Sequence, residues 1–518
     1  MVFSSIPFIF IFLPIVLAGY WLIDRAIPAY RFIFLTIASL VFYAVWDWRY
    51  VFLLLATLVV NYFAHLYLIN KPNKTALTLI IIFNLLLLSY FKYLGFVSGE
   101  ISRLIGLDFE AFDILLPIGI SFFTFQLIAF QVDTYLGKIG EQKVVPYALF
   151  VVFFPQLIAG PIVHHSEMMP QFSKRLDRST WALMAVEGVL LFSIGLFKKT
   201  VIADPIGAVS SRVFAVIDAG GEVAFFEAWG AAFGYTFQLY FDFSGYADMA
   251  IGLGLLFGIR LPLNFNSPYK SVSIVDFWRR WHVTLSRFLR DYLYIPLGAN
   301  RKGDVRRYAN LMTTMVLGGI WHGAGWGFLI WGFMHGMMLA INHAWSKLYT
   351  VPGLGWLRFI MIKPVAIGIT FLCVAIAWVP FRAETLEGMT TMFKAMFMIT
   401  PLAAPSEFAG TPARDILISL GFSLDAVKIN YLSDWAGIVP HLALAIVLAF
   451  FAPNSIAIAS KFTQIIASFN EPDQQRANGF ARFTKRIVPF AAGSSLASFF
   501  LWAVLHLSSV SEFLYFQF

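Results

Sequence analysis

Apolar windows about as long as a bilayer core is thick recur along almost the whole of this chain. A helix needs roughly 20 apolar residues to cross about 30 Å of hydrocarbon, because each residue advances it by about 1.5 Å. Windows of this kind centre on residues 5–23, 32–46, 50–69, 77–98, 114–131, 147–164, 182–197, 224–241, 246–262, 310–329, 330–345, 357–380, 437–452 and 487–508. In hydrocarbon every backbone N–H and C=O has to be paired within the protein, so windows of this length fold as helices. The composition agrees: 59% of residues are hydrophobic and 13% charged, with a mean hydropathy of +0.75. A soluble chain carries about 25% charged residues. These features predict an all-α polytopic membrane protein. Several windows are broken by Pro and Gly, as in ILLPIGISFF and FPQLIAGPIV. Such breaks are tolerated at membrane depth only where backbone is buried in protein or lines a wet cavity. The expectation is therefore roughly eleven transmembrane helices plus re-entrant or interfacial helices.

The first window follows MVF without a basic flank or a clear cleavage site, and reads as a retained helix. Cys373, the single cysteine, lies in ITFLCVAIAW and reads as a small apolar filler that forms no internal disulfide. The formal charge of +8 points to loops held in the cytoplasm rather than to nucleic acid. Eight Lys or Arg residues fall between 279 and 307, whereas the longest polar insertion, 382–434, holds four against six Asp or Glu. The positive-inside rule places the first stretch in the cytoplasm and the second outside. Three crossings between them, at 310–329, 330–345 and 357–380, agree with that. No fixed-period repeat is visible, so residues 1–518 are expected to form a single integral-membrane domain with 382–434 as an external insertion.

The stretch DFWRRWHVTLSRFLRDYLYIPLGAN, 276–300, is the densest in chemistry. Wound as a helix, it gathers Phe277, Trp278, Trp281, Leu285, Phe288, Leu289 and Tyr292 on one side, with Arg279, Ser286, Arg287 and Arg290 opposite. Asp276 with Arg280, and Arg287 with Asp291, are spaced for i,i+4 pairing. A basic amphipathic helix of this kind lies in the membrane interface. Two readings of Arg279, Arg280, Arg287 and Arg290 are compatible. One is topology and headgroup contact; the other is an electropositive mouth for a phosphate-bearing donor, since the planar guanidinium grips phosphate with two hydrogen bonds. His282 falls at the edge of the apolar stripe, where it could face a cavity.

Between Asn310 and His343, glycines at i,i+4 (Gly319/Gly323, Gly323/Gly327, Gly332/Gly336) let helix backbones approach closely. Packing does not account for His322 and His335, because ionisable residues at membrane depth are rare and usually functional. Each histidine could also simply hydrogen-bond a neighbouring carbonyl. Dry surroundings keep an imidazole neutral and able to accept a proton, which suits a general base acting on a hydroxyl. A third stretch, FQLYFDFSGYADMAIGLG, sets Asp242, Ser244 and Asp248 among apolar residues. Buried carboxylates need partners; these could orient a histidine, pair with an arginine or cap helices flanking Ser244–Gly245. No HxxxH or HExxH spacing is present, so no metal is expected.

Together these residues resemble the membrane-bound O-acyltransferase family, in its alginate O-acetyltransferase branch. The segments that carry the resemblance are MVFSS at the start, LLPIGISFFTFQ at 115–126, FPQLIAGPI at 154–162, LYFDFSGYADMAIGLG at 239–254 and NFNSPY at 264–269. FWRRWHVTLSRFLRDYLYIPLG at 277–298, LGGIWHGAGWGFLIWGFMHG at 317–336 and WVPFRAE at 378–384 complete it. The likeness covers most of the chain to about residue 385. It implies a helical bundle around a central funnel open from both faces, with His322 of the WHG motif catalytic and His282 of the FWxRWH motif a second functional position. His335, Asp242 and Ser244 would be supporting residues. The resemblance further implies acetyl-CoA, or another acyl carrier, as donor substrate, with no bound cofactor. The acetyl group would pass to a periplasmic SGNH-type acetyltransferase or a small carrier, for O-acetylation of an exopolysaccharide such as alginate. The setting would be the bacterial inner membrane. In that scheme His322 deprotonates the hydroxyl, and His282 orients the acyl group or donates a hydrogen bond to the oxyanion. Two alternatives stand beside it: a transporter or export component of a polysaccharide system, and, within the family, D-alanyl transfer to teichoic acid or acetylation of cellulose or peptidoglycan.

Overall fold

The computed structural model describes residues 2–106, 112, 114–301, 303–348, 360–399, 412–423, 432–470, 493–507 and 514. A π-helical turn at Phe8–Phe12 leads into α1 (Leu13–Ala26), followed by α2 (Arg31–Ala44), α3 (Arg49–Asn70) and α4 (Lys74–Ile105). Next come α5 (Ile120–Tyr135), the short α6 (Val144–Val152), α7 (Phe154–Leu157) and α8 (His165–Phe172), then α9 (Arg178–Phe197), α10 (Asp204–Asp218) and α11 (Phe225–Leu256). After α12 (Ile274–Arg280) and α13 (Val283–Leu289), α14 (Gly303–His322), α15 (Trp326–Leu348) and α16 (Lys363–Arg382) run back and forth. The remaining helices are α17 (Leu386–Met396), α18 (Ala413–Ser419), α19 (Leu432–Phe450) and α20 (Ser455–Asn470), with a further apolar helix at Gly493–Leu505. Of the external insertion expected at 382–434, residues 400–411 and 424–431 lie outside the described set.

Among the described residues, five helical stretches are long and apolar enough to cross a membrane: Phe8–Ala26, α3, α4, Arg178–Asp218 and α16. The pair Gly437–Phe450 and Ser455–Ala467, bent by 73°, adds a sixth if it counts as one span. The chain is thus a multi-pass membrane protein. The expected figure of about eleven is not confirmed: among the described residues Pro28–Ala44 and Gly493–Leu505 are apolar helices of only 10–17 residues.

Helix α11 is the axis of the fold, with nearly every residue from Gly234 to Leu256 buried. The windows expected separately at 224–241 and 246–262 are this one helix; Asp242, Ser244 and Gly245 sit mid-helix and cap nothing. It packs antiparallel to α9, with Gly188 against Gly252 and Gly195 against Gly245. A Cβ on any of the four would strike the partner's carbonyl, so the glycines set the close approach. The carboxylates of α11 are held by lysines just beyond α9. Lys199 reaches Asp242 at 2.7 Å and Asp204 at 2.8 Å, and Lys198 reaches Asp248 at 2.7 Å. These pairs answer the demand that a buried charge be partnered.

Helix ends sort onto two faces. The α14–α15 turn, the end of α16, Asp218 and the start of α11 share one: Glu384 and Thr385 donate backbone N–H bonds to Asp218, and Trp229 donates to the Met396 carbonyl. The other ends of α11 and α14 lie on the opposite face with Arg25, Arg31, Lys174, Arg175 and Arg307, termed the basic face below.

The Pro/Gly breaks interrupt the helices, and their backbone is satisfied by buried side chains. The window expected at 147–164 is cut at Phe153 into α6 and α7. Gln126 and Gln156 both donate to the Phe150 carbonyl at 2.6 Å, Ser39 Oγ accepts from Phe154 N–H, and Thr284 Oγ1 accepts from Ile162 N–H. The basic helix expected over 276–300 is also broken. Trp281 is extended (φ −92°, ψ 129°) and His282 is left-handed (φ 40°, ψ 55°), so α12 and α13 are separate.

Candidate active site

His322 is the last residue of α14, and its position follows from how that helix ends. The final carbonyls of a helix lack intrahelical partners. Here Lys92 of α4 supplies them: its Nζ donates to the carbonyl of Trp321 at 2.6 Å and of His322 at 2.8 Å. Tyr93 adds a bond to the Ile320 carbonyl at 2.8 Å. Glycine then permits the turn and the packing. A Cβ on Gly323 would run into the Phe328 ring, and one on Gly319 into the Phe328 carbonyl and Gly332. The close-packing role expected for these glycines is what the α14–α15 pair uses: Gly319 of α14 meets Gly332 of α15, while Gly323 lies in the turn between them.

His282 sits fully buried at the α12–α13 break. A left-handed non-glycine residue costs about 1–3 kcal/mol and persists only when its surroundings over-determine it. Asn264 does that twice. Its carbonyl accepts from Val283 N–H at 2.9 Å, and its Oδ1 faces His282 Nδ1 at 3.0 Å. The same Oδ1 accepts from Thr284 Oγ1 at 2.9 Å and lies 3.4 Å from Thr284 N–H. A backbone N–H can only donate, so the atom at this junction is the amide oxygen. His282 Nδ1 therefore carries the proton in the neutral ring, and its Nε2 presents a lone pair. That Nε2 is buried with no hydrogen-bond partner among the described residues.

His335 has the opposite tautomer. Trp278 Nε1, which can only donate, lies 3.3 Å from His335 Nδ1. The neutral ring thus bears its proton on Nε2, which is buried without an acceptor among the described residues. The three histidines are joined through one aromatic box. The Trp321 indole lies 4.9 Å from the His322 ring centroid and 6.4 Å from that of His282. Trp331 lies 5.0 Å from His322 and 4.7 Å from His335. Trp378 and Phe381 close the box behind Trp331, at 5.7 and 5.2 Å. Three imidazoles that are distant in sequence are therefore buried around one set of aromatic rings.

From this aromatic box α5 and α13 run side by side toward the basic face. Phe122 stacks on His282 and Phe125 on Phe288; farther along, Tyr292 donates to Asp133 at 2.8 Å. Here the expected arginine cluster is largely neutralised. Arg287 grips Glu167 with both Nη atoms, the longer contact at 2.7 Å; Arg290 pairs with Asp291 and Arg280 with Asp276. The i,i+4 pair expected between Arg287 and Asp291 does not form, because Glu167 from α8 offers Arg287 a two-point contact. Exposed Arg279 alone of the four has no carboxylate partner among the described residues.

On the opposite face a cavity of about 570 Å3 opens above the box, lined by Arg103, Gly325, Trp326, Phe381, Arg382 and Glu384 among others. Its floor residue Phe381 lies 5.2 Å from the His322 ring. Asp242 and Ser244 are not brought to the histidines. Asp242 is engaged by Lys199 and by Leu514 N–H, and Ser244 Oγ is buried with no hydrogen-bond partner among the described residues. Sequence reasoning missed Lys92 and Asn264. A lysine within the apolar helix FKYLGF was a readable signal; an asparagine in NFNSPY carried none.

The chain is a multi-pass helical bundle that buries three imidazoles against a shared aromatic box, one of them next to the floor of a cavity. The model of the membrane-bound O-acyltransferase family, MBOAT, matches residues 138–378, which include His282, His322 and His335. A peptidoglycan O-acetyltransferase of Helicobacter pylori is 44% identical over 427 residues, 76% of this chain and 80% of that protein. A probable alginate O-acetylase, AlgI, of Pseudomonas aeruginosa is 43% identical over 407 residues, covering 77% and 75%. A teichoic acid D-alanyltransferase of Streptococcus thermophilus is 29% identical over 239 residues, covering 44% and 57%. The chain belongs to the membrane-bound O-acyltransferase family and is an acyltransferase.

Proposed function

We propose that this protein transfers an acetyl group from a cytoplasmic thioester, acetyl-CoA or another acyl carrier, to a hydroxyl presented from the other side of a bacterial inner membrane, for O-acetylation of an exported polysaccharide. The observation that carries the reading is the placement of His322: at the end of α14, in the aromatic box shared with His282 and His335, beneath the cavity of the less basic face. The positive-inside rule assigns the basic face to the cytoplasm, so the donor arrives along the α5–α13 side and the acceptor through the Trp326–Arg382 cavity. The acceptor is a periplasmic SGNH-type acetyltransferase or a small carrier that passes the acetyl group to the polymer.

In the reaction, His322 removes the hydroxyl proton, the oxygen attacks the thioester carbonyl, the C–S bond breaks, and the imidazolium returns its proton to the departing thiolate. No net proton is gained or lost. With the tautomer that the Asn264 contacts favour, His282 is read here as orienting the substrate rather than donating to the oxyanion. A neutral ring with its proton on Nδ1 has no Nε2–H to offer an oxyanion; its Nε2 lone pair instead orients a donor group of the substrate. The N–H groups suited to an oxyanion in this box are those of His335 Nε2 and Trp331 Nε1. Buried N–H groups left without acceptors are the kind of preorganised donor that acyl transfer uses.

The test is thioester turnover by the purified protein with a hydroxyl acceptor. Release of free thiol that depends on acceptor and falls by at least about 100-fold in His322→Ala, with normal folding, supports the reading. Solute movement without thiol release would favour the transport alternative. The identity shared with a peptidoglycan O-acetyltransferase and with probable alginate O-acetylases supports acetyl over D-alanyl as the group moved.

A further inference from the structure

A second cavity, of about 280 Å3, lies at the basic face between the end of α1, the start of α2 and the loop that leads into α9. Five cations line it, Arg25, Arg31, Lys174, Arg175 and Arg178, against two carboxylates, Asp24 and Asp177. The pairing leaves a surplus. Arg31 Nη1 lies 2.7 Å from Asp24 Oδ1, and Arg175 is 4.0 Å from the other oxygen of the same carboxylate. Asp177 is turned onto Ser179 and Thr180, where its carboxylate accepts from the Thr180 N–H and both hydroxyls; it caps α9 and forms no ion pair with the lining cations among the described residues, so the five cations outnumber the two carboxylates by three. Arg25, Lys174 and Arg178 have no carboxylate partner among the described residues, and Arg25 lies over the Trp21 ring at 5.5 Å.

The surroundings are amphipathic. Leu22, Ile33 and Ile37 on the adjoining lengths of α1 and α2 are 58%, 37% and 56% exposed and present an apolar outer surface. The floor is closed. Tyr20 and Phe257 meet edge to face at 5.3 Å, and the Tyr20 hydroxyl donates to the Phe257 carbonyl at 3.2 Å. Phe257 in turn packs on Phe154. A donor whose thioester has to reach His322 finds no way through this floor. A ligand with an anionic head and apolar tails running along α1 and α2 fits without needing one.

We propose that this cavity is a binding site for an anionic phospholipid, its phosphate held by Arg25, Lys174 and Arg178 and its acyl chains laid along α1 and α2. Arginine supplies forked donors to phosphate and lysine a point charge, and a basic pocket between helices at a membrane surface is a setting in which headgroups are held. Each cation near the surface contributes about five-fold in affinity, so three together contribute on the order of 100-fold.

The experiment uses the full-length protein, delipidated in detergent and titrated with phosphatidylglycerol or phosphatidylcholine, with bound lipid counted by native mass spectrometry. One phosphatidylglycerol is expected to bind on the order of 100-fold more tightly than phosphatidylcholine. Arg25→Gln/Lys174→Gln/Arg178→Gln is expected to abolish that preference, and the charge-conserving Arg25→Lys/Arg178→Lys to keep most of it. Thermal melting checks that the variants fold. Competition on the wild-type protein needs no variant: coenzyme A and inorganic phosphate, each at millimolar level, are expected not to displace the lipid. Equal binding of the two lipids overturns the proposal, as does an unchanged preference in the folded triple variant. Displacement by coenzyme A would overturn it too, and would make the cavity a site for the donor's phosphates.

Discussion

Replacing Lys92 by methionine removes an ammonium while keeping a flexible apolar stem of similar bulk. In the native structure that ammonium satisfies two terminal carbonyls of α14, at 2.6 and 2.8 Å. A hydrogen bond from a charged donor contributes about 1.5–3 kcal/mol, so the pair is worth about 3–6 kcal/mol gross. The variant no longer carries the desolvation penalty of a partly buried charge, itself several kcal/mol. The net loss of stability is therefore about 1–3 kcal/mol, within the tolerance of a large helical bundle. Activity is the more sensitive readout. The capped residues are Trp321 and the proposed base His322, and a displacement of about 1 Å in a reacting group costs about 100-fold in rate. Lys92→Met is expected to lower acetyl transfer about 100-fold per folded molecule while shifting the melting temperature only modestly. Lys92→Gln, whose amide keeps two N–H donors on a stem one bond shorter, is expected to recover part of the rate. Thiol release in proteoliposomes beside a detergent-solubilised melting curve measures both. A folded Lys92→Met protein with wild-type turnover would refute the idea that this lysine positions His322.

Three further perturbations separate positioning from scaffold. Asn264→Ala deprives His282 Nδ1 and Thr284 of their common acceptor and is expected to cost at least 10-fold in kcat, whereas Asn264→Asp, which keeps the acceptor, retains most activity; equal rates in the two would count against the tautomer assignment. Lys199→Met leaves Asp242 and Asp204 facing each other uncompensated and is expected to destabilise by about 3–5 kcal/mol, with Lys199→Met/Asp242→Leu regaining part of it; a melting-temperature cycle reads this, and additive losses would exclude the coupling. Gly319→Leu drives a side chain into the Phe328 carbonyl and Gly332, and is expected to cost about 1–3 kcal/mol and to lower turnover by separating α14 from α15; unchanged melting and turnover would show that the contact is not tight.

Some of this could be read along the chain and some could not, for reasons that particular residues make plain. Apolar windows located α3, α4 and α16 because a lipid-facing helix writes its environment into every residue. The histidines of WHG and FWRRWH stood out because an ionisable ring is costly among apolar residues and is rarely placed there without a chemical role. Helix α11 was misread as two windows, since Asp242, Ser244 and Gly245 look like a loop until Lys198 and Lys199 are seen to neutralise the carboxylates. Those partners lie about fifty residues away, and no local pattern announces them. The same holds for Arg287. Its neighbour Asp291 had the right spacing, but Glu167, 120 positions earlier, offered better geometry. The break at His282 contains no Gly or Pro; it exists because Asn264 holds both the backbone and the ring.

The most direct test of transfer through His322 places donor and acceptor on opposite sides of a membrane. Proteoliposomes carrying the protein with its basic face outward are given labelled acetyl-CoA outside and a hydroxyl acceptor sealed inside, and ester-linked label is measured on the lumenal acceptor. Wild-type protein is expected to deposit label in the lumen with one thiol released outside per ester formed. His322→Ala, reconstituted to the same density and equally folded, is expected to deposit none above an empty-vesicle control. Lumenal ester formed at an undiminished rate by the His322→Ala protein would contradict the central role given to that residue.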